Sequence, residues 1–290
     1  MSSDEREKLL AVAAAVRATR PLVHCVTNYV TVNDCANAIL AVGGSPVMAD
    51  DPKEVSEIAA IANALVVNIG TLNSRTIRSM RLACKSAARL GKPIVLDPVG
   101  AGASRLRTTT AREFIKKFPL AVIRGNASEI AALLGEKGRT RGVDAAEADE
   151  IVTRDGYAST AETAAIKLSR MTGAVVVSTG VIDTVASGDS VIRVSNGHPA
   201  MAAITGSGCM LTAIIGAFCG AAPEDAFHAA AAAVANMGIA GEIAAQEASQ
   251  EASRIGTKTF IGTGTFRVRL IDALSSTGSA SAEAMRIEHA

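Results

Sequence analysis

The chain has 290 residues, of which 49% are hydrophobic and 20% are charged, so it can bury a large core and does not resemble a disordered protein. Lysine plus arginine total 29 and aspartate plus glutamate total 28, which argues against a surface that binds nucleic acid or an anionic membrane. The sequence contains neither a secretory signal pattern nor an apolar stretch of membrane-spanning length. Five cysteines without a C-x-x-C pair favour free thiols in the cytoplasm over disulfides or a zinc site.

The first quarter of the chain predicts helices separated by short extended segments. Helix-capping residues, apolar positions at helical spacing and the two glycines at 43 and 44 set the boundaries. The expected helices are 3–19, 31–42 and 53–62, and the extended segments are 21–28 and 45–52.

The middle of the chain alternates apolar strands with helices. Continuous apolar runs bounded by glycine or proline are typical of parallel strands that are buried on both faces. The expected strands are 64–70, 93–97, 120–124 and 174–179, and the helices are 74–90, 108–117, 127–134 and 158–172. Residues 136–156 are charged and contain several glycines, so we expect a loop there. The alternation predicts a three-layer α/β fold, in which helices cover both faces of a mainly parallel sheet.

The last part of the chain predicts a hairpin followed by helices. Two short runs, 183–186 and 190–194, flank a Ser-Gly-Asp turn and predict a hairpin at the edge of the sheet. Further helices are expected over 209–219, 223–248 and 266–275, with a loop rich in glycine and threonine over 255–265. Residues 276–290 contain few apolar side chains, so we expect this tail to fray. Because no linker divides the chain, we predict one domain over residues 1–275.

A stretch of small residues, Thr-Gly-Ser-Gly at 205–208, directly precedes the apolar helix at 209–219. The start of a helix carries backbone N–H groups without intrahelical partners and a partial positive charge. Gly206 and Gly208 leave these groups accessible, so the stretch predicts an anion cradle with Cys209 at its edge. It matches neither the P-loop nor the dinucleotide-binding pattern. The alternative is a tight turn in which Cys209 is a small buried hydrophobic residue.

Polar residues follow the predicted parallel strands, at the edge where open α/β sheets bind ligands. They are Asn68, Asp97, Arg124, Asn126, Glu129 and Thr179. Carboxylates, an arginine, a hydroxyl and an anion cradle are the groups that phosphoryl transfer requires. Structural alternatives exist: Asn126 and Glu129 fit a helix capping box, while Asp97 suits a turn and Arg124 an ordinary ion pair.

Seven segments of the chain follow one another in an order and at spacings that carry a family resemblance. They are residues 21–37, 45–50, 68–71, 96–102, 122–129, 196–199 and 205–210. Over roughly residues 10–275 the chain resembles the hydroxyethylthiazole kinases of thiamine salvage. The resemblance implies a ribokinase-like fold and phosphorylation of the primary alcohol of 4-methyl-5-(2-hydroxyethyl)thiazole, with ATP and Mg²⁺. It also implies a homotrimer with active sites between subunits.

On the alcohol side, the resemblance matches Met48 and Gly206 to residues that contact the thiazole, and it suggests that Asn28 lines the same pocket. Cys209 takes the place where most ribokinase-like enzymes carry an aspartate base, with Gly206 and Gly208 forming the anion hole. In a loose transition state the alcohol proton leaves late, so we assign Cys209 chiefly to orienting the hydroxyl.

On the nucleotide side, the resemblance matches Arg124 and Thr179 to ATP contacts, and Asn126 is placed with them. It matches Asp97 and Glu129 to the acidic pair near Mg²⁺ and the phosphates. The chain departs from the family in carrying Gly-Ser-Gly instead of Gly-Thr-Gly in the glycine stretch, and in a longer segment at 250–264.

Three other functions remain open from the sequence. The first is another small-alcohol kinase of the same fold, acting on hydroxymethylpyrimidine or a sugar. The second is an acyltransferase or hydrolase with Cys209 as nucleophile, which would need His24, His198 or His228 beside it. The third is a protein that binds a thiazole or a nucleotide without catalysis.

Overall fold

The computed structural model describes residues 3–135, 150–152, 158–254, 261–277 and 284–289. Nine strands form one sheet, and two more form a separate antiparallel ribbon. The strands are β1 (Leu22–Val26), β2 (Ser45–Val47), β3 (Ala64–Asn68), β4 (Ile94–Asp97), β5 (Val122–Asn126), β6 (Glu150–Val152), β7 (Ala158–Thr160), β8 (Val175–Thr179), β9 (Asp183–Ser187), β10 (Ser190–Val194) and β11 (Ile287–His289).

The order of the large sheet is β11-β10-β9-β8-β5-β4-β3-β1-β2. Six neighbouring strands of this sheet are parallel, namely β2, β1, β3, β4, β5 and β8. Strands β9, β10 and β11 pair antiparallel with their neighbours. Since the parallel strands point the same way, their carboxyl ends lie along a single edge. The mainly parallel sheet predicted from the sequence is confirmed.

Ten α-helices flank these strands within the described ranges. They are α1 (Ser3–Thr19), α2 (Val32–Ala41), α3 (Val55–Ile61), α4 (Ser74–Arg89), α5 (Arg105–Lys117), α6 (Ala127–Leu134), α7 (Ala161–Thr172), α8 (Ser207–Ala221), α9 (Ala226–Arg254) and α10 (Thr263–Ser276).

The apolar core lies in two layers, one on each face of the sheet. Successive side chains of a strand point to opposite faces, and in β3 the side chain of Val66 packs in one layer while those of Leu65 and Val67 pack in the other. The first layer contains residues of α1, α2, α8, α9 and α10, and the second contains residues of α3 to α7. The predicted cover of helices on both faces is therefore confirmed.

Helix α8 approaches the sheet closely because small residues face it. A Cβ atom added at Gly216 would overlap the Val66 side chain and lie 3.1 Å from Val23 Cγ1. All residues from Met210 to Cys219 are buried. The buried apolar helix predicted at 209–219 is confirmed, and its N-terminus is held against the carboxyl edge of the sheet.

The chain differs from the prediction around the ribbon. Residues 136–156 are expected to form a loop, but Glu150–Val152 forms β6 and pairs with Ala158–Thr160. The helix expected from residue 158 therefore begins at Ala161. Strands of three residues are too short to show a recognisable periodicity in the sequence. Residues 136–149 and 153–157 lie outside the described ranges.

The expected fraying of 276–290 is wrong for the segment at its end. Strand β11 pairs with β10, and both Met285 and Ile287 are buried. The buried Asn196 binds this segment, because its Nδ2 donates to Ala284 O at 2.9 Å and its Oδ1 accepts from Arg286 N at 2.8 Å. The hairpin of β9 and β10 is confirmed, but β11 forms the outer edge of the sheet.

The loop expected over 255–265 falls only partly within the described chain. Helix α9 continues to Arg254, and α10 begins at Thr263. Residues 255–260 lie outside the described ranges. Among the described helices, none is long and apolar enough to cross a membrane.

Candidate active site

The predicted rim residues meet where the carboxyl ends of the parallel strands face the start of α8. Asn68 and Asp97 are register partners at the ends of β3 and β4. Asn126 and Thr179 are partners in the same way at the ends of β5 and β8. Parallel pairing explains this arrangement, because strands in register bring their terminal residues side by side.

The glycine turn brings backbone, not side chains, against the rim. Gly206 caps α8 with φ of +88° and no side-chain hydrogen bond. A Cβ atom at Gly206 would lie 2.5 Å from Thr31 Cγ2, and one at Gly208 would lie 2.7 Å from Arg124 Nη2. The first backbone bond of the helix is Met210 N to Gly206 O, so the preceding N–H groups have no partner within the helix. The turn has the form that an anion cradle requires.

Asp97 is a fully buried carboxylate, and one of its two oxygens is open in the sense that it accepts no hydrogen bond from the described residues. Its Oδ2 accepts from Asn68 Nδ2 at 2.7 Å and from Thr212 Oγ1 at 2.9 Å. Its Oδ1 has no hydrogen-bond partner among the described residues, and Arg124 Nη1 lies 3.9 Å away. Burial raises the pKa of Asp97 to about 7, although the charge of Arg124 acts in the opposite direction. An open, buried carboxylate oxygen is suited to a cation.

Arg124 lies between the strand ends and the glycine turn. Its Nη2 donates to Thr179 Oγ1 at 2.7 Å, which joins β5 to β8. Its guanidinium occupies the space that a side chain at Gly208 would need. Its Nε has no hydrogen-bond partner among the described residues. The guanidinium therefore sits beside the free N–H groups of α8, where both would attract the same anion.

Glu129 and Asn126 form a capping box at the start of α6, so this structural alternative is confirmed. Asn126 Oδ1 accepts from Glu129 N, and Glu129 Oε2 accepts from Asn126 N, both at 2.9 Å. Glu129 Oε1 also accepts from Gly100 N at 2.7 Å. Burial raises the pKa of Glu129, while these backbone donors and the charge of Arg124 oppose the shift. Each carboxylate oxygen thus already binds a backbone donor.

Cys209 is in the first turn of α8 and is held by two side-chain amides. Asn68 Nδ2 donates to Cys209 Sγ at 3.2 Å, and Asn28 Nδ2 donates to it at 3.3 Å. Burial raises the pKa of the Cys209 thiol, and the negative charge of Asp97 adds to the shift. The hydrogen bond from Asn68 and the charge of Arg124 partly oppose it. The raised pKa keeps the thiol protonated at neutral pH.

Met48 packs against the core, and the candidate histidines have partners other than Cys209. Met48 follows β2, is half-buried and packs against the core layer that contains α8. None of the three candidate histidines is a partner of Cys209 Sγ within the described residues. Instead, His24 Nε2 pairs with Ala49 O, His198 with Ala200 N, and His228 with Asp225. In the part of the chain that the structure describes, no histidine is therefore paired with Cys209 as the base that acyl transfer would need.

Several residues of the site were not identified from the sequence. Arg107 on α5 donates to Val99 O at 2.7 Å and to Gly70 O at 2.6 Å, and so joins the loops after β3 and β4. Burial raises the pKa of Asp183 to about 6, and its Oδ1 accepts from Gly180 N. Thr212, which donates to Asp97, was also missed. Of these residues, only Thr212 could have been recognised from the sequence, because its hydroxyl lies within an apolar helix.

Comparisons with known proteins agree with this arrangement. The model of the family described as "Hydroxyethylthiazole kinase family" matches residues 13–279. The chain is 52% identical over 260 residues to a hydroxyethylthiazole kinase from Desulfovibrio desulfuricans, covering 90% of each chain. A solved hydroxyethylthiazole kinase structure from Pyrococcus horikoshii OT3 is 35% identical with a TM-score of 0.80, covering 98% of this chain and 99% of that one. A ribokinase-like superfamily protein from Enterococcus faecalis V583 shares the fold at 12% identity, with a TM-score of 0.56 and coverage of 89% and 86%.

Proposed function

Because this chain belongs to the hydroxyethylthiazole kinase family, we propose that it transfers the γ-phosphoryl group of ATP to the primary alcohol of 4-methyl-5-(2-hydroxyethyl)thiazole at the site around Cys209. The observation that carries the proposal is the meeting of the open Asp97 oxygen, the Arg124 guanidinium and the glycine-opened start of α8. These groups hold positive and negative charge in fixed positions, which is the main requirement of phosphoryl transfer. The reaction belongs to thiamine salvage.

We place ATP on the side of Arg124. Its guanidinium and the N–H groups at the start of α8 offer adjacent donors for phosphate oxygens. Thr179 holds the guanidinium through its hydroxyl, and Asn126 shapes the same edge by capping α6. These contacts support the assignment of all three residues to the nucleotide.

Asp97 fits the role of a Mg²⁺ ligand better than Glu129 does. The buried Oδ1 of Asp97 lacks a hydrogen-bond donor among the described residues, whereas both Glu129 oxygens accept backbone N–H groups. Asp97 would therefore hold the cation, and Glu129 would add negative charge beside it while fixing the loop at Gly100. When bound, Mg²⁺ would neutralise negative charge on the phosphates.

We assign Cys209 to orienting the substrate hydroxyl, with base catalysis secondary. Its thiol is protonated at neutral pH because burial raises its pKa. A loose transition state needs little assistance with proton removal before the phosphoryl group is transferred. The backbone at Gly206 and Gly208 supplies the anion hole next to it, and we place the thiazole ring near Met48, Gly206 and Asn28.

We also propose that the enzyme is a cytoplasmic homotrimer with active sites between subunits. Tyr29 and Val30 directly follow Asn28 and are 77% and 56% exposed. Two exposed apolar side chains beside the thiazole pocket support coverage by a neighbouring subunit. The five free cysteines support a reducing compartment.

The proposal is tested by an ADP-release assay over a panel of alcohols: hydroxyethylthiazole, hydroxymethylpyrimidine, pyridoxal and ribose. We expect turnover with the thiazole to exceed the others and to disappear when a chelator removes divalent metal. Preferred turnover of the pyrimidine or the sugar would contradict the substrate assignment. In a separate assay with a p-nitrophenyl ester as acyl donor, a burst of nitrophenol that leaves the acyl group bound covalently to Cys209 would instead support the acyl-transfer alternative.

A further inference from the structure

Two buried asparagine side chains join the thiol of Cys209 to the carboxylate of Asp97. Asn68 ends β3 and is 1% exposed, and Asn28 follows β1 and is 4% exposed. Asn68 Nδ2 donates to both Asp97 Oδ2 and Cys209 Sγ. Asn28 Nδ2 donates to Cys209 Sγ and, at 3.0 Å, to Asn68 Oδ1. The sulfur atom therefore accepts one N–H group from each amide.

Every hydrogen-bonding position of these two amides has a partner. An amide side chain offers two N–H donors and an oxygen with two lone pairs. Asn68 Oδ1 accepts from Asn28 and from Gly70 N at 2.9 Å, and Asn28 Oδ1 accepts from the backbone N and the hydroxyl of Thr31, both at 3.1 Å. Because backbone N–H groups can only donate, reversing either amide would break these bonds. The N–H groups are thus directed at Cys209 and Asp97.

We propose that Asn68 is a positioning residue, which sets the distance and direction between the Cys209 thiol and the Asp97 carboxylate during phosphoryl transfer. A single planar NH₂ group binds both atoms, so neither can shift alone without losing a hydrogen bond. Together with Thr212, Asn68 occupies Asp97 Oδ2 and leaves Oδ1 open. This inference rests on the proposed function, in which Cys209 serves the alcohol and Asp97 serves the phosphate side.

The sharpest test is Asn68→Asp, which keeps the shape of the side chain and replaces the donor NH₂ group with an oxygen. Asn73→Asp is the matched control, because it makes the same chemical change a few residues later, at the N-cap of α4. Asn73 accepts from Thr76 N, and an aspartate can accept the same bond. The two full-length variants are compared with the wild type in steady-state kinetics and in alkylation by iodoacetamide.

In Asn68→Asp we expect kcat for the thiazole alcohol to fall on the order of 100-fold, because the reacting groups lose their alignment. The KM for ATP should change less than kcat, since Arg124 and the start of α8 are unchanged. Alkylation of Cys209 should slow, because the sulfur loses a donor and gains a carboxylate neighbour, both of which disfavour the reactive thiolate. Cys209→Ala gives the background from the four buried cysteines. Asn73→Asp should match the wild type in both measurements.

Wild-type kcat and alkylation in Asn68→Asp would overturn the proposal, as would an unchanged kcat with a raised KM for both substrates. If a thermal melt shows that this variant does not fold, Asn68→Ser replaces it, because its smaller hydroxyl can donate to only one of the two acceptors. A fall in both kcat and alkylation then supports the proposal, and wild-type values reject it. If the wild type phosphorylates no alcohol of the panel, the proposed function fails. The alkylation rates would still test whether Asn68 binds and orients the Cys209 thiol.

Discussion

The surroundings of Asp97 and of Glu129 differ, although both are buried carboxylates at the same rim. Glu129 binds the backbone N–H groups of Gly100 and Asn126, one with each oxygen. Asp97 binds two side chains with Oδ2, while its Oδ1 has no hydrogen-bond partner in the described part of the chain. Burial of a carboxylate is costly unless it is compensated. The fully bonded carboxylate therefore builds local structure, whereas we propose that the carboxylate with an unbonded oxygen binds a ligand.

The largest expected effect is the loss of activity in Asp97→Asn. The amide is almost the same size but carries no charge, so the site loses its cation ligand. We expect kcat/KM to fall on the order of 1,000-fold, as when a preorganised electrostatic group is removed. The measurement is ADP release at saturating metal, with a thermal melt as a control for folding. Activity within about tenfold of the wild type would remove the distinction between the two carboxylates.

The same carboxylate should make stability depend on pH. The pKa of Asp97 rises from the ordinary value of 3.8 to about 7 in the folded chain, so the folded state binds the proton more tightly than the unfolded state does. Stability should therefore fall as pH rises between these values, by an amount on the order of a few kcal/mol. In Asp97→Asn, the part of the fall in stability that comes from ionisation of Asp97 should be absent. Urea unfolding of both proteins in chelator at pH 4.5, 6 and 7.5 tests it, and parallel pH profiles would contradict it.

Arg124→Ala tests the charge that lies beside the open oxygen. We expect the KM for ATP to rise roughly tenfold to 100-fold, because the phosphates lose a charged donor. The KM for the thiazole should change much less. Thr179→Val serves as a comparison, because it removes only the hydroxyl that holds the guanidinium. A large rise in the thiazole KM with an unchanged ATP KM would reverse the assignment.

The smallest effect is expected for Glu129→Gln. The amide can keep one backbone bond but sets an NH₂ group against the other N–H donor, which should cost about 1 kcal/mol of stability. Activity should fall less than in Asp97→Asn, because the residue chiefly fixes the loop at Gly100. Urea unfolding and ADP release are compared in the same preparations. Unchanged stability together with a loss of activity as large as in Asp97→Asn would show that Glu129 acts on the ligand directly.

The parallel part of the sheet could be predicted because burial on both faces leaves a continuous apolar run in the sequence. The runs that became β3, β4, β5 and β8 are of this kind. The polar residues that end them could be grouped without coordinates, since parallel strands align their carboxyl ends. Strand β11 gave no such signal, because it has only three residues and pairs with β10, which is distant in sequence.

The internal connections of the site could not be predicted for the same reason. Cys209 lies 181 positions from Asn28 and 141 from Asn68, and no local pattern records hydrogen bonds over such separations. The role of Arg107 could not be predicted either, because it donates to backbone oxygens, which every residue carries. What the sequence reveals is the set of reactive groups, whereas the contacts that orient them are visible only in three dimensions.

The contact between Gly208 and Arg124 has a consequence for directed evolution of this enzyme. Any side chain at position 208 would occupy the space of the guanidinium, so changes there are tied to changes at position 124. A library that varies the glycine alone would displace the guanidinium from its place beside Thr179. Varying both positions together opens combinations in which a smaller residue replaces the arginine and a side chain at 208 takes over part of its volume. Positions 208 and 124 should therefore be varied together, although they are distant in sequence.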